Sequence, residues 1–281
     1  MAIIESAGIT DVGRKRKVNE DSLFLDDKMG LYIVADGMGG HRGGEFASKI
    51  VVDTIPEYMS QKNDSIPNSE ALHNYPESIS EESKKLLGAI TCANEKVYRN
   101  SKEKQELSGM GSTVSAICFT DDTFIAGNVG DSHIYLVHDS GIELLSVIHN
   151  VITEQTAIDP ERAKRLGKRF KHMLTRAVGV EASVNADISE SQFFKNDQLI
   201  LCSDGLSDKV SSEEILDVAM RESPGKACQT LVNMANDRGG DDNVTVIVLK
   251  IISVETAKSG VVSKLLQFFK YIGFLPKKIL N

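Results

Sequence analysis

An unbroken apolar run at residues 31–35 ends abruptly at Asp36, and three glycines follow within the next four positions. An apolar run of about five residues bounded by glycine is typical of a buried strand. A carboxylate directly after such a strand is held rigidly and still reaches solvent, which suits a hard cation because such a cation prefers fixed oxygen ligands. A single motif of this kind is better explained as a strand-to-helix turn with a capping aspartate. It indicates a cation site only if the same pattern occurs elsewhere in the chain.

The same pattern recurs at Asp131, Asp204 and Asp242, each of which adjoins a glycine-containing turn at the end of a predicted strand. Strand ends at one edge of a sheet can converge, and like charges gathered there repel unless a cation or a proton neutralises them. Aspartate and glutamate without His or Cys form a ligand set for Mg²⁺ or Mn²⁺ rather than Zn²⁺. Any one of these aspartates is as well explained as a turn former, but four together indicate a cation site.

Two such cations about 3.5–4 Å apart form a device for hydrolysing phosphate esters. Arg16 lies within four consecutive cations, residues 14–17, and Glu20 and Asp21 follow shortly afterwards. The planar guanidinium of an arginine can hold phosphate oxygens with parallel hydrogen bonds. The alternative for this segment is a solvated loop whose opposite charges neutralise one another.

The hydrophobic pattern predicts both strands and helices along the chain. The predicted strands are residues 2–9, 22–27, 31–35, 112–119, 124–129, 133–137, 199–202 and 244–252. Predicted helices follow residues 46, 78, 146, 211 and 223, and the Ser78–Glu81 and Ser211–Glu214 spacings fit capping boxes. The short turns at residues 120–123 and 130–132 favour an antiparallel meander of three strands.

Composition excludes several classes of protein. The net charge of −8 disfavours binding to nucleic acid, which needs basic patches. The four cysteines lie far apart without a Cys-x-x-Cys motif, which fits reduced thiols in a cytosol. No apolar stretch reaches the roughly 18 residues of a membrane span, and the first residues do not have the pattern of a signal peptide. We therefore expect a cytoplasmic protein.

Seven motifs then occur in an order that resembles the metal-dependent protein serine/threonine phosphatases of type 2C, most closely their bacterial branch. The resemblance covers about residues 4–251. The motifs are Thr10-Asp11-x-Gly13-x-x-Arg16-x-x-Asn19-Glu20-Asp21, Val34-Ala35-Asp36-Gly37-Met38-Gly39-Gly40-His41 with Gly44-Glu45-x-Ala47-Ser48, Gly109-Met110-Gly111-Ser112-Thr113, Gly127-Asn128-Val129-Gly130-Asp131-Ser132, Leu174-Thr175-Arg176-Ala177-Val178-Gly179, Ser203-Asp204-Gly205-Leu206 and Asp242-Asn243-Val244-Thr245.

The resemblance implies an α+β fold, a four-layer α-β-β-α sandwich of two antiparallel sheets flanked by helices, with the phosphatase domain at residues 1–255. It also implies a dinuclear site at one end of the sandwich. By position, Asp36 would bridge both metals, the Gly37 carbonyl would bind one of them, and Asp204 and Asp242 would hold the other. Asp131, with Asp204, resembles a third-metal site of bacterial members.

The same resemblance assigns the remaining roles. Glu20 and Asp21 would contribute directly or through water, and Arg16 and Asp36 would be the catalytic residues, with Arg16 gripping the substrate phosphate. A metal-bridging hydroxide would attack phosphorus in line, with two or three Mn²⁺ or Mg²⁺ ions and without a phosphoenzyme. The implied partners of the chain, expected to be a monomer, are phosphorylated proteins, including a serine/threonine kinase that it opposes in bacterial signalling and that kinase's substrates.

Two departures from the family bear on mechanism and specificity. Met38 stands where many eukaryotic members have a histidine thought to protonate the leaving group, so water or a nearby group must do so. His41 is one candidate, although a structural hydrogen bond at a helix start explains it equally well. Residues 148–150 read Ile-His-Asn where the family commonly has Asp-His-Ser, directly before the flap that influences substrate choice.

Residues 256–281 lie outside the resemblance and form a basic amphipathic tail. They carry five lysines and no acid, and apolar residues recur at helical spacing. A segment of this kind can lie on an anionic membrane surface or bind a partner protein, and docking on the protein's own acidic surface explains it equally. Two other functions also remain open: a catalytically inactive phosphoprotein-binding module on the same fold, and a hydrolase of small phosphate esters.

Overall fold

The computed structural model describes residues 2–39, 42–61, 75, 79–167 and 170–254. Its strands are β1 Ala2–Asp11, β2 Asp21–Asp26, β3 Leu31–Met38, β4 Gly111–Ser112, β5 Val114–Phe119, β6 Thr123–Val129, β7 His133–His138, β8 Gly141–Leu144, β9 Asp187–Gln192, β10 Gln198–Cys202 and β11 Val244–Val254. Its α-helices are α1 Gly43–Ser60, α2 Glu81–Glu103, α3 Val151–Ile158, α4 Pro160–Ala163, α5 Asp204–Ser207, α6 Ser212–Arg221 and α7 Pro224–Asp237. His41, Ser78 and the tail at 256–281 lie outside the described residues.

The strands form two antiparallel sheets. Sheet A has the order β1-β11-β10-β7-β8, and sheet B has the order β2-β3-β5-β6-β9, with β4 paired to β3. Apolar side chains of both sheets fill the space between them, while α1 and α2 cover the outer face of sheet B and α6 and α7 cover that of sheet A. The expected α+β fold, four layers in the order α-β-β-α, is therefore confirmed.

The burial of both faces of sheet B explains why residues 31–35 are apolar without interruption. Leu31, Ile33 and Ala35 belong to the core beneath α1 and α2. Tyr32 and Val34 belong to the core between the sheets. Because successive side chains of a strand point to opposite faces, a strand covered on both sides has no position left for a polar residue.

The expected three-strand meander is wrong at its second turn. β5 and β6 form the predicted hairpin, but β7 pairs with β10 and β8 in sheet A. Residues 130–132 therefore carry the chain from one sheet to the other. Gly130 has φ +101°, and a Cβ at this position would lie 2.6 Å from Thr113 Cγ2. A turn of this length suits a hairpin as well as a crossing between packed sheets, so its length alone is ambiguous.

The helix starts are partly as expected. The Ser211–Glu214 capping box is present at α6. The capping box expected at Ser78–Glu81 is wrong, because α2 begins at Glu81 and its cap is Ser80, whose Oγ accepts a hydrogen bond from the Ser83 N–H. The Ser80 hydroxyl also donates to a Glu190 carboxylate oxygen at 2.7 Å, so a contact with sheet B favours this start.

Residues 146–172 are expected to be helical, and in their described part, 146–167 and 170–172, the α-helices are the short α3 and α4. Asn150 caps α3 by accepting a hydrogen bond from the Thr153 N–H at 2.8 Å. Within the described part of the chain, no helix combines the length and the apolar character that crossing a membrane requires.

Candidate metal centre

A cleft of about 920 Å³ lies at one end of the sandwich, and six of the seven predicted site residues line it. These residues are Arg16, Asp36, Gly37, Asp131, Asp204 and Asp242, and Glu20 lines the same cleft. Asp21 does not line the cleft. The ends of strands from both sheets thus bring together carboxylates that are distant in sequence.

Asp36 is fixed through its backbone at the end of β3. Its N–H donates to Thr113 Oγ1 at 2.9 Å, and its carbonyl accepts from the Thr113 N–H at 2.8 Å. Burial is the main cause that raises the pKa of Asp36 well above its usual range, and the neighbouring Asp21 and Asp204 raise it further. The Asp36 carboxylate is therefore costly to ionise unless a positive charge binds beside it.

Asp21 starts β2 directly opposite Asp36 in the antiparallel register. It is buried, and its Oδ2 accepts hydrogen bonds from Ser203 Oγ at 2.8 Å and Thr245 Oγ1 at 2.7 Å. Burial raises the pKa of Asp21 to about 7, although both hydroxyls oppose the shift. Its role as a direct or water-mediated ligand remains a prediction.

Two buried carboxylate oxygens have no hydrogen-bond partner among the described residues: Asp21 Oδ1 and Glu20 Oε1. Burial also raises the pKa of Glu20. Leaving a buried acceptor unpaired costs about 1–3 kcal/mol, and more when the group is charged. A hard cation, or water held by one, satisfies such oxygens. The donor set and these orphaned oxygens therefore fit Mg²⁺ or Mn²⁺.

Arg16 stands at the same end of the sandwich as Asp242. Its Nη2 donates to Asp242 Oδ2 at 2.8 Å, and half of the Arg16 side chain is exposed. The hydrogen bond with Asp242 is the main cause that raises the pKa of Arg16. Arg16 thus carries a permanent positive charge on the open side of the carboxylate cluster.

Asn243, next to Asp242, fastens the loop that carries Arg16. Its amide nitrogen donates to the carbonyls of Val12 at 2.9 Å and Val18 at 3.0 Å. Its side-chain oxygen accepts a hydrogen bond from the Glu20 N–H at 2.8 Å. One buried side chain therefore sets the positions of both ends of the basic loop relative to β11.

Asp131 lies in the crossing between the sheets and is buried. Burial raises the pKa of Asp131 to about 7, and repulsion from Asp204 adds to the shift. Asp131 and Asp204 both line the cleft, and a third cation shared between them stays a prediction.

Sequence reasoning missed His172 and Asp208. Ligand atoms of His172, Asp204 and Asp208 lie within 4.8 Å of one another, and His172 Nδ1 lies 3.3 Å from Asp204 Oδ2. The contact with Asp204 is the main cause that raises the pKa of His172. The four-residue spacing of Asp204 and Asp208, one helical turn, was a usable signal. The oxygen-only ligand set stays a prediction, and His172 adds a nitrogen beside Asp204.

Comparisons with known proteins agree with the fold. Residues 13–239 match the family model described as Protein phosphatase 2C. The serine/threonine phosphatase Stp of Listeria welshimeri is 31% identical over 246 residues, which cover 86% of this chain and 93% of that protein. The crystal structure of the Mycobacterium tuberculosis serine/threonine phosphatase PstP/Ppp is 28% identical, with a TM-score of 0.75 over 89% of this chain and 99% of that one.

A further solved structure contains metal. The catalytic domain of PstP in complex with two manganese ions is 28% identical, with a TM-score of 0.74 over 90% of this chain and 100% of that one. Its two ions agree with the fit of hard cations to the carboxylates described above. On the match over most of its length, the chain belongs to the protein phosphatase 2C family and is an enzyme, a phosphoric monoester hydrolase.

Proposed function

We propose that this chain hydrolyses phosphoserine and phosphothreonine in proteins with the help of two or three Mn²⁺ or Mg²⁺ ions. The convergence of four aspartates and Arg16 on one cleft carries this proposal. Carboxylates gathered in this way need a proton or a cation between them. The relatives, which are serine/threonine phosphatases by name, support the class of substrate.

Each carboxylate would have its own place in the centre. Asp36 would be shared by two cations, of which one would also bind the Gly37 carbonyl and the other would bind Asp204 and Asp242. Asp131 and Asp204 would hold a third. When bound, the cations would supply a water molecule of lowered pKa that attacks phosphorus near neutral pH.

Arg16 would bind the phosphoryl group. Its half-exposed guanidinium donates to a single oxygen of Asp242, so its remaining N–H groups can donate to phosphate oxygens and stabilise their negative charge. Met38 lines the cleft and has no proton to give. The leaving oxygen would therefore take its proton from water or from a nearby group other than Met38. Asp21 would orient a water through Oδ1, the oxygen without a partner.

With substrates of this class, the enzyme would reverse the phosphorylation carried out by a serine/threonine kinase in bacterial signalling. Acting as a monomer, it would bind phosphorylated proteins, including that kinase and its substrates. An inactive phosphoprotein-binding module is less well supported, because the expected ligands Asp36, Asp204 and Asp242 and the anion-binding Arg16 are all present at the cleft. A hydrolase of small phosphate esters is separated from the proposal by the assay below.

The test is phosphate release from a phosphothreonine peptide and from small phosphorylated metabolites, with Mn²⁺ and with a chelator. We expect Mn²⁺-dependent turnover of the peptide, abolished by the chelator and by Asp242→Asn. The matched control is Asp217→Asn, since Asp217 pairs with Arg221 on α6 and does not line the cleft. If the folded wild type shows no turnover with any divalent metal, the proposed activity is wrong. If it hydrolyses only the small metabolites, the proposed substrate, a phosphorylated protein, is wrong.

The tail at residues 256–281 is proposed to hold an otherwise cytoplasmic chain at an anionic membrane surface. Because the tail has five lysines and no acid, it should bind anionic lipids more strongly than lipids without net charge. Sedimentation with vesicles that contain phosphatidylserine, compared with phosphatidylcholine vesicles and with a chain lacking residues 256–281, tests this. Equal binding of the shortened chain to the anionic vesicles would assign the tail to a protein partner or to the chain's own surface.

A further inference from the structure

His149 precedes α3, and its imidazole is fully buried with both ring nitrogens engaged. Nδ1 accepts a hydrogen bond from the Gly130 N–H at 3.0 Å, and Nε2 lies 2.6 Å from Asp187 Oδ2. Because a backbone amide can only donate, Nδ1 carries no proton and Nε2 donates to Asp187. The ring is therefore held in one tautomer and one orientation.

His149 fixes the backbone immediately before Asp131. Besides the ring contact, the His149 N–H donates to the Gly130 carbonyl at 3.0 Å, so both polar backbone groups of Gly130 are bound by one residue. On the other side Thr113 packs close to Gly130, because a Cβ at Gly130 would lie 2.6 Å from Thr113 Cγ2. The Asp131 side chain thus begins one residue beyond a backbone that cannot rotate freely.

Asp187, at the start of β9, connects His149 to the rim of the cleft. Its Oδ2 also accepts a hydrogen bond from Arg176 Nη1 at 2.8 Å, and Arg176 lines the cleft. The hydrogen bond from His149, and then the charge of Arg176, hold the pKa of Asp187 below its usual range although burial opposes this. Asp187 therefore remains an ionised acceptor that keeps the His149 ring oriented.

We propose that His149, held by Asp187, is a positioning residue for the cation that Asp131 would bind, an inference that rests on the cation site of the proposed function. Residues that hold a metal ligand by hydrogen bonds fix its orientation, and their loss typically lowers metal affinity about 10–100-fold. His149 does not touch the substrate or the cation. It acts on the backbone before Asp131: the His149 ring holds the N–H of Gly130, and the His149 N–H holds the Gly130 carbonyl of the following peptide group.

Two substitutions separate the two hydrogen bonds of His149. Glutamine places an amide nitrogen near the position of Nε2 and leaves the Gly130 N–H without its acceptor, whereas asparagine places an oxygen near Nδ1 and does not reach Asp187. The full chain is titrated with Mn²⁺ by calorimetry, and the cation missing in Asp131→Asn identifies the site. We expect His149→Gln to weaken this cation about tenfold, and His149→Asn to stay closer to wild type.

A double-mutant cycle distinguishes positioning from a general loosening of the fold. If His149 acts through Asp131, then His149→Gln changes Mn²⁺ binding in the wild-type background and adds nothing in the Asp131→Asn background. His138→Gln is the matched control, because His138 Nδ1 pairs with Asp197 Oδ1 at 2.7 Å at the other end of β7. This control should bind Mn²⁺ like the wild type.

Three results would overturn the positioning role. These are wild-type Mn²⁺ binding by His149→Gln, an equal loss from this substitution when Asp131 is already asparagine, and identical titrations of the wild type and Asp131→Asn. Phosphate release is measured separately. Suppose that the wild type binds Mn²⁺ as expected, that Asp131→Asn loses one cation and that His149→Gln weakens the same cation. If the wild type then releases no phosphate, the proposed function is refuted and the positioning of Asp131 stands.

Discussion

Asp131→Asn should stabilise the cation-free protein and weaken the response of its stability to Mn²⁺. The Asp131 carboxyl is buried beside Asp204, and both burial and this neighbour raise its pKa to about 7. An asparagine has nearly the same shape and carries no charge to desolvate. When a chelator removes the cations, the substitution removes the free-energy cost of burying a charged carboxylate. When Mn²⁺ is present, the substitution removes a ligand of the cation.

The size of the gain follows from the pKa. A carboxyl whose pKa rises from 3.8 to about 7 on folding binds more protons when folded than when unfolded, so its contribution to stability falls as pH rises between these values. The complete shift corresponds to roughly 4 kcal/mol at pH 8. Because water enters an open cleft and the fold relaxes, we expect a measured gain of about 1–3 kcal/mol at pH 8 and little gain at pH 4.

Urea unfolding with a chelator at pH 4 and pH 8 measures this gain. Repeating it with Mn²⁺ at about 100 times the dissociation constant should stabilise the wild type by roughly 2.7 kcal/mol per cation, and Asp131→Asn by one cation less. Asp217→Asn, which removes an exposed carboxylate on α6, is the control without a pH-dependent gain. A gain for Asp131→Asn that is equal at both pH values, or absent at pH 8, would refute the reasoning.

Three further predictions concern the same end of the molecule. Gly130→Ala should cost about 1–3 kcal/mol in urea unfolding because of its positive φ and the neighbouring side chain, whereas Gly167→Ala, with open space around it, should not destabilise. Asn243→Ala should raise KM for a phosphopeptide, measured by phosphate release, because the Arg16 loop loses its fastening. His172→Ala should lower the Mn²⁺ concentration needed for half-activation, because a carboxylate oxygen is freed for the cation; a higher requirement would instead make His172 a ligand.

The centre was predictable from sequence because its residues share a local signature. Asp36, Asp131, Asp204 and Asp242 each adjoin a glycine-containing turn at a strand end, and this can be recognised without knowing which strands are neighbours. The fold class was predictable through the motifs that resemble the family. The capping box at α6 was also predicted correctly from two residues within four positions, but the same spacing at Ser78–Glu81 failed because the helix there is capped by Ser80.

Contacts between distant segments were not predictable in the same way. The turn at residues 130–132 has the length of a hairpin, and only the packing of two sheets shows that it crosses between them. His149 and Asp187 are 38 residues apart, and nothing in the local pattern of either marks it as the other's partner. His172 lies at the end of a basic stretch, and nothing in the composition of that stretch indicates a contact with Asp204.

The position of the centre follows from antiparallel pairing within each sheet and from one link between the sheets. In sheet B the start of β2 lies opposite the end of β3, and in sheet A the end of β10 lies opposite the start of β11. Asp21 then joins the sheets, because its Oδ2 accepts hydrogen bonds from Ser203 and Thr245 of sheet A. The two hydrogen bonds of Asp21 hold the strand ends of the two sheets next to each other. The other carboxylates at these strand ends are then close together, and a cation or a proton must neutralise their charge.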